Sequence, residues 1–204
     1  ILVAGGNGQG SELNQFDNPY AFDFDDDGNM YVADKNNDRV VKWTPGSSEG
    51  VVVAGGNGVG YALNQIQDPL GLYVDDSDNL YISDSGHHRI LKWKIGESEG
   101  SVVAGGNSSG SNLNQVQSPS GIYVDELENI YISDYNNQRI TMWSKDASKG
   151  ILIAGGNGAG SASNQLETPL DISNDSRGNL YVADMRNDRI QRIQIAPDIT
   201  ISSG

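Results

Sequence analysis

Apolar positions along the chain fall in short runs, separated by clusters of Gly, Asn, Asp, Ser and Pro. After Pro69 comes GLYVD at 71–75, then an acidic turn, then LYISD at 80–84. A four-residue polar loop leads to RILKW at 89–93, where apolar residues alternate. A Gly/Ser-rich turn follows and leads to GSVVAGG at 100–106. β-Branched and aromatic residues bounded by turn formers predict strands, and no window sustains a 3.6-residue period. The pattern therefore predicts four short strands per unit and an all-β chain.

The unit recurs every 50 residues without insertion. AGGN begins at Ala4, Ala54, Ala104 and Ala154, and Asn14-Gln15, Asn64-Gln65, Asn114-Gln115 and Asn164-Gln165 keep the same spacing. Pro19, Asn29, Tyr31, Asp34 and Arg39 each recur in all four copies, whereas Trp43, Trp93 and Trp143 give way to Ile193 in the last. Four strands at this period predict a β-propeller of four-stranded antiparallel blades, each burying its faces against its neighbours. A β-helix repeats at shorter intervals and lacks the four-strand punctuation. The blades fall at about 5–54, 55–104, 105–154 and 155–204, within one array spanning 1–204. Counted by phase, the outermost strand occurs five times: at Ile1–Ala4, Val51–Ala54, Val102–Ala104, Ile151–Ala154 and Ile199–Ser202. Strand 1–4 is thus surplus to four blades. It is expected either to complete a blade of a longer propeller or to pair head-to-tail with a neighbouring molecule.

The segment 69–93, PLGLYVDDSDNLYISDSGHHRILKW, resembles an NHL repeat: Pro-x-Gly, an apolar strand, Asp, a Gly/Asn turn, Tyr-Val-Ala-Asp, a polar loop and Arg-Ile. Four copies cover nearly the whole chain, and the resemblance implies the propeller fold. NHL propellers serve as binding platforms, sensors, structural segments of cell-surface proteins and scaffolds for a few enzymes, so the fold does not give the function. Closed NHL propellers commonly have six blades, a pattern from which four repeats depart.

Charge narrows the partners. The chain carries 13 Lys+Arg against 27 Asp+Glu, a formal net charge of −14, which disfavours nucleic acid and anionic membrane surfaces. No apolar run approaches the ~20 residues of a membrane span. With no cysteine, disulfides and thiolate metal sites are excluded. The chain begins at Ile1 without a visible signal peptide and reads as an excised or processed piece.

Asp34 and Arg39, with Asp84 and Arg89, Asp134 and Arg139, and Asp184 and Arg189, flank the loop between second and third strands. They are expected to pair bidentately and pin that loop, because a fold needs four identical pairs and catalysis rarely does. Trp43, Trp93 and Trp143 read as a packing layer between blades, with the indole N–H at a polar edge. The loop GGNGxGxxxNQ holds 15 of the 26 glycines, yet it matches no nucleotide-binding fingerprint and precedes a strand rather than a helix. It reads as a tight reversal on the same face as the Asp–Arg loop, where a ligand would bind. Variation at Gln9, Val59, Ser109 and Ala159, and at Glu12, Ala62, Asn112 and Ala162, falls on that face.

Asp23, Asp25 and Asp27 before Gly28 reproduce the start of a calcium-binding loop, with Asp34 at the twelfth place. The other copies, VDDSDN, VDELEN and NDSRGN, do not hold the three acids together, and a hairpin turn with solvated acids is preferred to calcium. His87 and His88, the only histidines, read as packing or solvent residues. No nucleophile stands in a catalytic sequence context, and no cofactor is expected. Asn107-Ser108-Ser109 and Asn174-Asp175-Ser176 are acceptor sequences for N-glycans.

These features lead to a non-catalytic propeller, a structural, adhesion or protein-interaction module located outside the cell. It is expected to associate through edge strands with a protein partner or with itself. A glycan- or small-molecule-binding propeller is the alternative, and a fragment of a propeller enzyme the second.

Overall fold

The computed structural model describes residues 1–195. It is all-β: four antiparallel sheets stand as the four blades of a propeller. The first blade comprises β1 (Pro19–Phe24), β2 (Met30–Asp34), β3 (Arg39–Trp43) and β4 (Val51–Gly55), from the inside outward. The second comprises β5 (Pro69–Val74), β6 (Asn79–Asp84), β7 (Arg89–Lys94) and β8 (Ser101–Gly105). In the third are β9 (Pro119–Val124), β10 (Ile130–Asp134), β11 (Arg139–Trp143) and β12 (Ile151–Gly155). The described part of the fourth is β13 (Pro169–Asn174), β14 (Leu180–Asp184) and β15 (Arg189–Ile193). Strands are hydrogen-bonded in sequence order within every blade.

The surplus strand expected at Ile1–Ala4 is not formed. Ile1, Leu2 and Val3 are exposed and lie outside every sheet. A strand there would need an adjacent edge to satisfy its N–H and C=O groups, and the first blade is already complete with β4 at its outer edge. Its counterpart at Ile199–Ser202 lies outside the described residues.

Hydrophobic cores sit between blades rather than within them. Tyr31, Val40 and Ala54 of the first blade pack against Ile66, Leu72, Val74, Leu80, Ile82 and Trp93 of the second. The same positions recur at the next seam, where Tyr81, Ile90 and Ala104 meet Val116, Ile122, Val124, Ile130, Ile132 and Trp143. They recur again where Tyr131 and Ile140 meet Leu166, Ile172, Leu180 and Val182. Period-2 alternation along each strand places one set of side chains on each face of the blade, which explains why one sequence pattern serves both neighbours. Trp93 and Trp143 lie in this layer, whereas Trp43 lies outside these clusters with its ring 5.8 Å from that of Phe16. Trp43 Nε1 donates to Ser47 O at 3.2 Å, Trp93 Nε1 to Glu97 O at 3.0 Å and Trp143 Nε1 to Thr141 Oγ1 at 3.3 Å.

Inner strands approach closely at the axis. A Cβ on Gly71 would collide with the backbone oxygen of Ser120, and one on Gly121 would come within 2.7 Å of Asp171 Cα. β1 packs on β5, β5 on β9 and β9 on β13, but β13 does not pack back on β1 in the same way. The four blades therefore form an open arc.

Candidate functional site

Three Asp–Arg pairs are buried and the fourth is open on its Arg189 side, and their geometry corrects the bidentate expectation. Arg39 Nε alone bonds Asp34, to Oδ2 at 2.7 Å. The terminal nitrogens turn instead to the glycine-rich loop, reaching Ser11 O at 2.6 Å, Glu12 O at 3.0 Å and Gln15 O at 3.1 Å. Asp34 Oδ1 accepts the Asp17 N–H at 2.7 Å, so one carboxylate and one guanidinium tie both loops together. Arg89, Arg139 and Arg189 repeat this network on Asp84, Asp134 and Asp184. The two loops share one face, and the pairs are its frame.

Asn37, Asn137 and Asn187 complete the frame by bridging the Asp to a glycine carbonyl; Asn37 Nδ2 lies 2.8 Å from Asp34 Oδ2 and 2.9 Å from Gly10 O. His87 occupies this place in the second blade. Its Nδ1 meets both oxygens of Asp84 at 2.9 and 3.0 Å, its ring lies 4.5 Å from that of Tyr61, and its buried Nε2 has no protein partner among the described residues. His88 Nδ1 accepts the Ser118 N–H of the next blade at 3.1 Å. Both histidines thus have definite structural bonds.

The acids proposed for calcium are not gathered. Asp23 accepts the N–H of Phe24 at 2.9 Å and of Val74 at 2.8 Å, while Asp34 serves Arg39. Asp25 holds the hairpin turn, accepting the Asn29 backbone and side-chain N–H groups, and Tyr31 donates its hydroxyl to it at 3.0 Å. Asp75, Asp125 and Asp175 hold Asn79, Asn129 and Asn179 in the same way. The acid at this one position is therefore in strict register across the copies. At Asp175 the Asn179 side chain lowers the carboxyl to about 2 against the opposing effect of desolvation, helped by backbone N–H groups and Tyr181.

The four inner strands line an axial channel of about 570 Å³. Here the copies diverge. Tyr20, Leu70, Ser120 and Leu170 are equivalent by spacing, as are Ala21, Gly71, Gly121 and Asp171, and Asp23, Tyr73, Tyr123 and Ser173. Tyr73 and Tyr123 meet edge-to-face at 6.0 Å, and Asn174 Nδ2 donates to the Tyr123 hydroxyl at 2.9 Å. Burial pushes the Tyr73 hydroxyl up to about 12, with the neighbouring Tyr123 and acids adding to it. Asp171 reaches the channel surface, yet the surrounding walls exclude enough water to raise its carboxyl above the usual range, against the bond from Ile172 N–H. Below Tyr73, Tyr123 and Asn174 the channel opens into a mouth of about 480 Å³ lined by Asp75, Asp76, Asp125 and Glu126. Aromatic rings, amides and acids without a lining histidine suit a neutral or cationic ligand and repel anions.

Glu128 stands at this mouth between Lys92, at 2.8 Å, and Lys145. Hydrogen bonds from Lys145, then Lys92, hold its carboxyl at about 2, below the ordinary 4.5. A folded value below the unfolded one gives stabilisation that is complete above 4.5 and is lost as pH falls towards 2. Glu128→Gln is therefore expected to flatten the fall in Tm across that window, with a small amplitude because solvent screens the cluster. An unchanged Tm–pH slope would contradict this.

A family model described as "NHL repeat" matches residues 67–93 and 116–141. The first and fourth blades carry the same Asp–Arg frame in the same register. The second and third blades are NHL repeats. No curated protein matches the sequence. Among solved structures, an auxiliary nutrient binding protein from Bacteroides thetaiotaomicron is 16% identical with a TM-score of 0.68, covering 90% of this chain and 49% of its own. A catalytically inactive virginiamycin B lyase from Staphylococcus aureus with quinupristin is 14% identical at a TM-score of 0.57, covering 86% and 52%. A nidogen/laminin complex gives 19% identity and a TM-score of 0.65, covering 86% and 60%. The chain thus spans about half of the first structure it matches, and these likenesses show its fold.

The Asp–Arg frame and the indole layer were legible in the sequence as repeated positions. The channel residues were not, because the signal there is divergence, read in strands that look like ordinary core.

Proposed function

We propose that this NHL array is a non-catalytic protein-interaction module, acting in a structural or adhesive role outside the cell. The observation that carries the reading is the pair of apolar faces at the ends of the arc. Phe22 is 66% exposed where its equivalent Leu72 is 8% exposed, and Ile190 is 68% exposed where Ile140 is fully buried. Phe24 is exposed beside Phe22, their rings 5.9 Å apart. Apolar surface of this kind marks an association site. Among the described residues no helix is long and apolar enough to cross a membrane. A similar propeller fold in a nidogen/laminin complex supports a role in protein assembly. Light scattering of the purified chain is expected to show concentration-dependent association, lost in Phe22→Ser/Phe24→Ser/Ile190→Ser while the circular dichroism is kept. A monodisperse monomer at high concentration would contradict the reading.

The channel favours a second reading, a small neutral or glycan ligand held by Tyr73, Tyr123, Asp171 and Asn174. Likeness to a nutrient-binding protein supports it, and likeness to a lyase keeps an enzyme fragment as the third. Tyr123→Ala would abolish channel binding on a glycan array and leave association unchanged.

An extracellular location also implies that the two acceptor asparagines carry glycans. Asn107 Nδ2 donates to Gly105 O at 3.2 Å and Asn114 O at 2.9 Å, and Asn174 bonds Tyr123; a glycosylated amide keeps one N–H for such a bond. Treating native secreted protein with an N-glycosidase is expected to lower its intact mass, and an unchanged mass would remove both sites.

A further inference from the structure

We propose that the loop face between the second and third blades holds a binding site for a neutral, hydroxyl-bearing ligand with the chemistry of a hexose ring, centred on His87 and Tyr61. The site shares no lining residue with the axial channel and lies away from Phe22 and Ile190 at the exposed ends. Near-identical copies show what the frame itself requires, so a departure confined to one copy calls for its own reason. Three such departures meet in one place. Tyr61 stands where the other copies have Ser11, Ser111 and Ser161, His87 where they have Asn37, Asn137 and Asn187, and Ser108 where they have Gly8, Gly58 and Gly158. All three line a cavity of about 410 Å³, together with His88, Arg89, Val102 and Ser109.

Two of the departures weaken the fold. In the other blades the asparagine amide bonds both its Asp and a glycine carbonyl, at 2.9 Å for Gly10 O and 2.8 Å for Gly110 O and Gly160 O. His87 keeps the bond to Asp84 through Nδ1 but makes none to Gly60 O, and its Nε2 is buried without a partner among the described residues. A buried polar atom left unpaired is destabilising. Ser108 holds φ 64°, in a left-handed conformation that Gly8, Gly58 and Gly158 adopt freely. An orphaned ring nitrogen and a serine in a glycine conformation, around one cavity, point to a ligand.

Hydrogen bonds place the ring protons. His87 Nδ1 faces both oxygens of Asp84 and carries the proton, so Nε2 of the neutral ring offers a lone pair. His88 Nδ1 accepts the Ser118 N–H, so its proton sits on Nε2, a donor. An acceptor, a donor, the hydroxyls of Ser108 and Ser109 and the Tyr61 ring suit the hydroxyls and the C–H face of a sugar. The one guanidinium is already engaged: Arg89 bonds Asp84 through Nε, and Tyr61 O, Ala62 O and Gln65 O through its terminal nitrogens. The ligand is therefore neutral. A metal ion would find a single lone pair, and among the described residues no group of three ligating side chains is gathered. Tyr61 is 76% exposed, with its ring 4.5 Å from the imidazole. A turn of this one surface side chain opens Nε2 and leaves the phenol ring free to stack on the ligand.

The test reverts single departures to the residue that the other blades carry at the same place. Full-length protein made without N-glycans is titrated with the methyl glycosides of glucose, galactose, mannose and N-acetylglucosamine, by calorimetry and by NMR of the His87 ring nitrogens. At least one glycoside is expected to bind and to shift the His87 Nε2 resonance saturably, as the lone pair accepts a hydroxyl. His87→Asn and Tyr61→Ser are each expected to weaken that binding by about tenfold or more. His87→Asn should also raise Tm, because the asparagine restores the bond to Gly60 O. Tyr123→Ala, in the channel, should leave this binding unchanged. Zn²⁺ alone is expected to leave the Nε2 resonance unmoved. The proposal is overturned by no shift with any of these sugars, by binding that survives either reversion, by loss of binding in Tyr123→Ala, or by a saturable shift with zinc.

Discussion

Replacing Arg139 with alanine is expected to destabilise the chain by about 3–5 kcal/mol, the range for removing one partner of a buried ion pair. Asp134 is fully buried, and desolvation pushes its carboxyl above the ordinary range despite Asn137, the Gln117 N–H and Arg139 itself. Without the guanidinium its charge would lose its nearest cation, and Ser111 O, Asn112 O and Gln115 O would lose their donors. Protonating Asp134 relieves part of this cost, so the gap from the wild type should narrow as pH falls. Arg189→Ala is the internal control. Arg189 lies at the open end with its side chain 28% exposed, and water can replace part of its bonding. A loss of about 1–3 kcal/mol is expected there. Urea titration of both variants checks the order, and equal losses would contradict it.

Ile140→Ala is expected to cost about 2–5 kcal/mol, whereas Ile190→Ala should stay within about 0.5 kcal/mol. The two residues hold the same place in consecutive blades and differ only in what covers them. Ile140 is sealed against Leu166, Ile172 and Leu180 of the fourth blade, and deleting its side chain leaves a cavity there. Ile190 faces solvent, so its deletion removes apolar surface already in water. Chemical denaturation of the pair reads the difference directly. Similar losses at the two sites would mean that another part of the chain covers Ile190.

Most of the fold could be read from the chain because a propeller repeats one local problem. Asp34, Arg39, Asn29 and Tyr31 recur at fixed spacing since every blade must close the same hairpins and tie down the same loop. Alternation in RILKW and RITMW gave the strand faces. Three features escaped that reading for physical reasons. The single Nε contact of each Arg depends on where the glycine loop places its carbonyls, and spacing along the chain does not carry that information. The turn-holding role of Asp25 is masked in the sequence by its acidic neighbours Asp23 and Asp27, which make the three look like one cluster. His87 reads from the sequence only as a packing or solvent residue, although the Asn at the equivalent place in the other blades makes the same bond to its Asp. The count of repeats pointed to a surplus strand at one end, but not to an open arc, because an end face becomes visible only when Phe22 and Ile190 are seen without cover.

Hydrogen exchange on the isolated 204-residue chain tests the open arc most directly. Slow exchange is expected in β5–β7 and β9–β11, where both faces of the blade are packed, with faster exchange in β1 and β15 at the ends. Slow exchange of β1 and β15 to the same degree as β5 and β9, in a sample that light scattering shows to be monomeric, would contradict it.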